Sequence, residues 1–267
     1  MIGLWGLKYI SLSLYKSNSI LRFFLEIAFN GKNYHGWQNQ PDAITVQQTI
    51  EGALSTLFQR KIDIVGAGRT DTGVHARQIF AHFDLLEDES VENLVYKLNS
   101  LLPKDIAIYD CFQVKNDAHA RFDAISRTYR YYSITKRDPF LEPYVYTLYQ
   151  MPNLNKMNEA AQVLFQYHDF QCFSKSKTDV KSYLCTISEA FWEERDNQLI
   201  FTVSADRFLR NMVRAIVGTL LEVGFGKSNL QDVHQIIQSK NRSNAGKSVP
   251  AQGLFLENVT YPESIKL

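Results

Sequence analysis

The chain has 267 residues, with 29 Lys plus Arg against 28 Asp plus Glu, a net charge of +1. Hydrophobic residues make up 45% and charged residues 21%, as in an ordinary globular protein. These figures exclude a disordered chain, a fibrous repeat and a surface dominated by one sign of charge, so any polyanion site has to be local. Three widely spaced cysteines, Cys111, Cys172 and Cys185, form no CxxC pair. That argues against a disulfide framework or structural zinc and for a reducing cytoplasm.

Residues 1–20 are mildly apolar but interrupted by Lys8, Ser11, Ser13 and Lys16, so they read as a poorly ordered extension rather than a signal peptide. No stretch approaches the ~18 uninterrupted apolar residues of a membrane span. A strand is predicted over 21–29, closed by the turn dipeptide Asn30-Gly31. Thr45 and Gln48 make a capping box for a helix over 46–59, which carries Val46, Ile50, Ala53, Leu54, Leu57 and Phe58 on one face. Strands fit 62–67 and 78–84. A helix over 91–101, capped by Ser90 and ended by Pro103, precedes a strand over 106–113.

The order β-α-β-β-α-β then recurs. A strand is predicted over 126–135, a helix over 154–165 near an Asn155 cap, and a hairpin of 186–193 with 199–204 about a polar turn at 195–197. A long helix over 208–223, an additional helix over 230–239 and a strand over 254–260 complete the chain. The expected fold is α+β. Two tandem split-βαβ, ferredoxin-like halves form one extended mixed, mainly antiparallel sheet, with helices on one face and a cleft on the other. The halves are 21–115 and 116–267, after the 1–20 extension.

The densest polar signal is the run GAGRTDTGVHAR at 66–77. Its glycines permit positive φ or close backbone approach, and Arg69, Asp71, His75 and Arg77 exceed what a simple turn requires. With no helix after the glycines it is not a dinucleotide fingerprint, and Ala245 to Ser248 lacks the glycine of a P-loop. At 126–133 (SRTYRYYS), strand alternation puts Tyr129 and Tyr131 on one face and Arg130 and Tyr132 on the other. Such a strand suits base stacking with phosphate contact, or ordinary cross-strand packing. Arg207, Arg210 or Asn211, and Arg214 recur at helical spacing as a basic stripe, whose default reading is a solvated face. Basic clusters at 175–181 and 240–247 are local phosphate-contacting patches or surface loops. The six histidines show no HxxxH spacing, so no metal is assigned, and nothing around a cysteine suggests an activated nucleophile.

Taken together, YHGWQNQ at 34–40, Val46-Gln47, GRTDTGVHA from Gly68, HARF at 119–122, RTYRY from Arg127, HDF at 168–170, MVR with IVG from Met212 to Gly218, and GLFL at 253–256 resemble the tRNA pseudouridine synthase A family. The resemblance covers nearly everything after residue 21. One departure is Thr72, where the family usually carries Ala.

The resemblance implies an isomerase with Asp71 as catalytic carboxylate, Tyr129 packed on the target uracil and Arg214 paired with Asp71. Arg69, Gly68, Thr70 and His75 are implied as further substrate contacts. Converting uridine to pseudouridine breaks N1–C1′ and joins C5 to C1′ without net redox change or group donor, so no cofactor is expected. The carboxylate attacks covalently or assists elimination at the sugar. Tyr129 would hold the detached ring and could take a proton. Arg214 would favour the ionised carboxylate. The target base has to leave its stack, with Arg69 a candidate to fill the vacated space or hold a phosphate. The implied partners are tRNA, at uridines 38, 39 and 40 of the anticodon stem-loop, and a second copy in a cytoplasmic homodimer. Competing readings are a non-catalytic RNA-binding module of ferredoxin-like or RRM-like type, which leaves Asp71 without purpose, and a glycosidase-like hydrolase, which lacks a credible second acid.

Overall fold

In a computed structural model, residues 19–176 and 180–267 are described; the predicted extension at 1–18 lies outside them. The elements in order are β1 (Ile20–Phe29), α1 (Val46–Phe58), β2 (Val65–Gly66), β3 (His75–Leu86), α2 (Leu94–Leu101) and β4 (Ile106–Val114). They continue with β5 (Ser126–Ile134), β6 (Tyr146–Thr147), α3 (Leu154–Val163), β7 (Ile187–Arg195), β8 (Gln198–Ala205), α4 (Met212–Gly224), α5 (Leu230–Ser239) and β9 (Leu254–Thr260). The nine strands form one sheet in the order β4-β1-β3-β9-β5-β8-β7, with β2 against β3 and β6 against β5. The expected mixed, mainly antiparallel α+β sheet is present.

β3 and β9 pair in parallel, with His75 opposite Phe255 and Ala76 opposite Leu256. β2 pairs with the far end of β3, at Ala81 and His82. β2 and β9 thus lie against the far end and the start of β3. The strand predicted over 62–67 shrinks to two residues because the N–H groups of Ile62 and Ile64 donate to Ser55 Oγ and Glu51 Oε1 of α1, at 3.1 and 3.0 Å, in place of β3.

Alternation along β1 sends Phe23, Leu25, Ile27 and Phe29 into a cluster with Ile50 and Leu54 of α1 and Leu94 and Leu98 of α2. In the second half Tyr131, Phe201, Val203 and Trp192 meet Met157 of α3 with Ile216 and Leu220 of α4. The other face of β1 carries Phe24, which packs with Phe80, Phe112 and Tyr261. At about 25 cal/mol per Å2 of apolar surface, each fully buried ring or branched side chain contributes roughly 1.5–3 kcal/mol, so the two helix-side clusters dominate the stability.

Local backbone features shift several predicted ends. Thr45 caps α1, its side chain accepting from Gln48 N–H, but among the described residues Gln48 returns no side-chain bond, so only half of the expected capping box forms. Asn153, not Asn155, caps α3. Ser90 caps only the turn before α2, whose first residue follows Asn93 in the left-handed region. The β7–β8 hairpin turns through Asp196 and Asn197, both at positive φ, the geometry favoured by two-residue hairpin loops.

Candidate active site

Asp71 stands in the loop between β2 and β3, and its position is dictated from beneath by the 31–37 segment. Trp37 N–H donates to the Thr70 carbonyl at 3.3 Å, and Val74 N–H donates back to the Asp71 carbonyl at 3.1 Å, tightening the turn. Gly36 passes so close under this loop that a Cβ there would lie 2.4 Å from Thr70 O, and its φ is +90°. The YHGW signature thus acts as the support of the acid loop.

The Asp71 carboxylate faces two guanidiniums. Arg214 Nη1 lies 3.4 Å from Oδ2, and Arg210 Nε lies 3.7 Å from Oδ1. Arg214 is fixed at its other end, where Nε donates to Val249 O at 2.7 Å. Val249 reaches α4 because the 246–249 segment crosses the helix at Gly218, where a Cβ would lie 1.9 Å from Lys247 O. Arg210 is more exposed than Arg214, 57% against 21%. These groups, with Thr72, Lys175, Ser176, Asn211 and Arg242, line a cavity of about 500 Å3, within the ~300–1,000 Å3 usual for ligand sites.

Tyr129 reaches the same seam from β5. It pairs with Leu256 of β9, one strand from the start of β3, and packs against both hydrophobic clusters. Its ring meets Phe208 edge-on at 5.1 Å. Burial pushes its phenol up to about 12; Arg127 opposes the rise and the charge of Asp71 adds to it.

Asp71, Tyr129 and Arg214 therefore converge on the helix-bearing side, in the gap between the two helical layers, not on the opposite face. The reason is local: Tyr129 shares its face of β5 with Tyr131, which packs among α3 and α4, and Arg214 belongs to α4 itself. The basic stripe is corrected as well. Asn211 at φ +66° delays α4 to Met212, so Arg207 and Arg210 lie on the preceding turn, and Arg210 is thrown over the carboxylate. Arg210 carried no local signal separating it from a solvated face. The clusters at 175–181 and 240–247 each give the cavity wall a cation, Lys175 and Arg242.

The remaining expected contacts divide. Arg69 is exposed at the rim, and Gly68 has open space where a Cβ would be. The Thr70 hydroxyl is buried without a partner. His75 is corrected: only 1% exposed, it stacks on Phe255 at 4.5 Å and accepts from Gly31 N–H at 3.1 Å, so it braces the loop from inside the sheet and does not face the cavity. Burial lowers its pKa to about 4. Asp63 is exposed and ion-pairs with Lys61 at 2.8 Å, so it supplies no second acid. Burial pushes each of the three cysteine thiols up to about 12, away from nucleophilic use. Among the described residues, no three His, Cys, Asp or Glu side chains come together as a metal site.

The family model described as tRNA pseudouridine synthase matches residues 27–123 and 160–262. The chain belongs to the tRNA pseudouridine synthase family. Relatives named tRNA pseudouridine synthase A include that of Parabacteroides distasonis, 53% identical over 247 residues, 91% of this chain and 97% of the relative. That of Porphyromonas gingivalis is 52% identical, covering 92% and 99% of the two chains. The Bacillus subtilis protein is 39% identical, covering 90% and 99%. Within this synthase family match, the first matched block carries the Asp71 loop and the second carries α4 with Arg214. No helix among the described residues is long and apolar enough to cross a membrane.

Proposed function

We propose that the chain converts uridine to pseudouridine in tRNA, at positions 38, 39 and 40 of the anticodon stem-loop, with Asp71 as catalytic carboxylate. Membership of the synthase family supports the reaction. The observation that carries the assignment of roles is the convergence of Asp71, Arg214 and Tyr129 from three elements on one cavity.

The chemistry follows from that arrangement. Asp71 acts at the sugar: attack at C1′ and elimination both use the same carboxylate to release uracil from N1–C1′. The ring turns, C5 bonds to C1′, the C5 proton leaves and N1 is protonated, so atoms balance without a cofactor. Arg214, anchored on Val249, fixes the direction of the carboxylate. Tyr129 offers a ring face and an O–H. At about 12 its phenol stays protonated at neutral pH, so it positions the uracil instead of taking a proton.

The tRNA lies along the cationic wall of Lys175, Arg210 and Arg242, held mainly through phosphates, in the cytoplasm and against the joint surface of a homodimer. A non-catalytic RNA-binding module has no use for an acid in such a wall, where it repels phosphate. Tritium release from tRNA labelled at uridine C5 tests the reaction, because pseudouridine has the mass of uridine. Release with pseudouridine mapped at 38–40 supports the reading; binding without release supports the module, and free uracil supports a hydrolase.

A further inference from the structure

The HARF signature at 119–122 takes no part in the site described above, yet it builds an exposed edge beside it. Phe122 is 73% exposed, its ring centroid 4.2 Å from that of His119, with the Arg121 guanidinium 5.7 Å from the ring centroid. The turn is rigid. His119 Nδ1 accepts from the N–H groups of Arg121 and Phe122 at 3.1 and 3.4 Å, and His119 N–H donates to Asp123 at 2.7 Å. Phe122 is thus held out toward solvent against the usual tendency of phenylalanine to be buried.

A single guanidinium ties this turn to the acid loop. Arg127 Nη2 donates to Ala67 O at 3.1 Å and Arg121 O at 2.5 Å. Its Nη1 donates to Asp206 O at 2.6 Å and Ala124 O at 3.0 Å. Ala67 lies two residues before Arg69, and Asp206 immediately precedes Arg207. Arg127 therefore gathers three loops, and with them the cations Arg69, Arg121 and Arg207, at one rim. Among the described residues no carboxylate forms a salt bridge with any of the three. Burial, then the charges of Arg69 and Arg207, lower the Arg121 pKa, consistent with crowding of like charge. In a chain of net charge +1 this is a local concentration of positive potential, and guanidiniums are suited to phosphodiesters.

We propose that Arg121, Arg207 and Phe122 form an RNA-binding platform at the rim of the cavity. Arg121 and Arg207 hold a backbone phosphate beside the extruded uridine, and Phe122 stacks on a neighbouring unpaired base. The proposal rests on the RNA-modifying reading for the identity of the polyanion. An exposed ring set among unpaired guanidiniums matches unstacked RNA, whose bases offer a π face between phosphates.

The test is fluorescence anisotropy of the full chain with an anticodon-arm hairpin RNA over a salt series. The paired variant Arg121→Gln with Arg207→Gln lowers the slope of log affinity against log salt by roughly 1.4–1.8, while the paired Lys variant retains it. Phe122→Ala weakens binding about 5- to 100-fold at fixed salt with the slope unchanged, and Phe122→Tyr restores it. An unchanged slope in the paired Gln variant, or wild-type binding by Phe122→Ala, overturns the platform. Tritium release by the wild type is read in parallel. Release with normal binding by the variants removes the platform alone, whereas platform-dependent binding without release upholds it and removes the isomerase reading alone.

Discussion

Arg214 Nη1 stands 3.4 Å from Asp71 Oδ2 across 143 residues of sequence, and the same guanidinium is locked from behind by Val249 O at 2.7 Å. Two anchored directions on one planar group are what a lysine cannot reproduce. Arg214→Lys is expected to keep tRNA affinity within a few-fold and to lower kcat at least ~100-fold by loosening the carboxylate. Single-turnover kinetics with saturating enzyme check this, and a matching loss in affinity alone would contradict it.

The support beneath the acid loop predicts a contrast between two glycines. Gly36→Ala places a Cβ 2.4 Å from Thr70 O at a φ of +90°, so it should destabilise by about 2–4 kcal/mol and depress turnover with it. Gly68→Ala meets no atom within 4 Å, and its stability should stay within about 0.5 kcal/mol of wild type. Urea midpoints of the two variants provide the comparison.

His75 and His82 make stability depend on pH. Burial holds both at about 4 in the folded chain, against about 6.5 when unfolded. Above pH 6.5 both states are neutral and nothing is lost. As the pH falls from 6.5 toward 4 the unfolded chain binds protons that the folded chain refuses, so stability declines, and the decline levels off below about 4. His75→Asn, which keeps an acceptor for Gly31 N–H, should flatten part of this slope in denaturation curves taken between pH 7 and 4.

A phenol at about 12 leaves roughly 1 part in 10^5 ionised at pH 7. If the reaction drew on that phenolate, the chemical step would rise about tenfold per pH unit. The protonated role assigned to Tyr129 predicts instead a nearly flat single-turnover rate from pH 7 to 9.

Elements carried by local signals were legible in the sequence. α5 and β9 fall at their predicted bounds: Asn229 with Asp232 closes a capping box at the start of α5, and β9 opens on the apolar run Leu254, Phe255 and Leu256. The polar turn at 195–197 likewise lies where predicted. What was not legible depended on side-chain partners from other elements or on single dihedrals. β2 is curtailed where Ser55 and Glu51 of α1 take the N–H groups of Ile62 and Ile64. Asn93 and Asn211 adopt left-handed conformations that move two helix starts. The same displacement puts Arg210 over Asp71, a relation invisible to helical spacing; the shared face of Tyr129 and Tyr131 was legible from alternation, but only the packing of Tyr131 among α3 and α4 tells which side of the sheet that face is.

The most direct measurement of the central claim uses Asp71→Asn, which preserves side-chain size and removes the carboxylate. Incubated with C5-tritiated tRNA, it should bind as tightly as the wild type and release no tritium above background. Tritium release at the wild-type rate would contradict the assignment of Asp71 as the group that acts on the sugar.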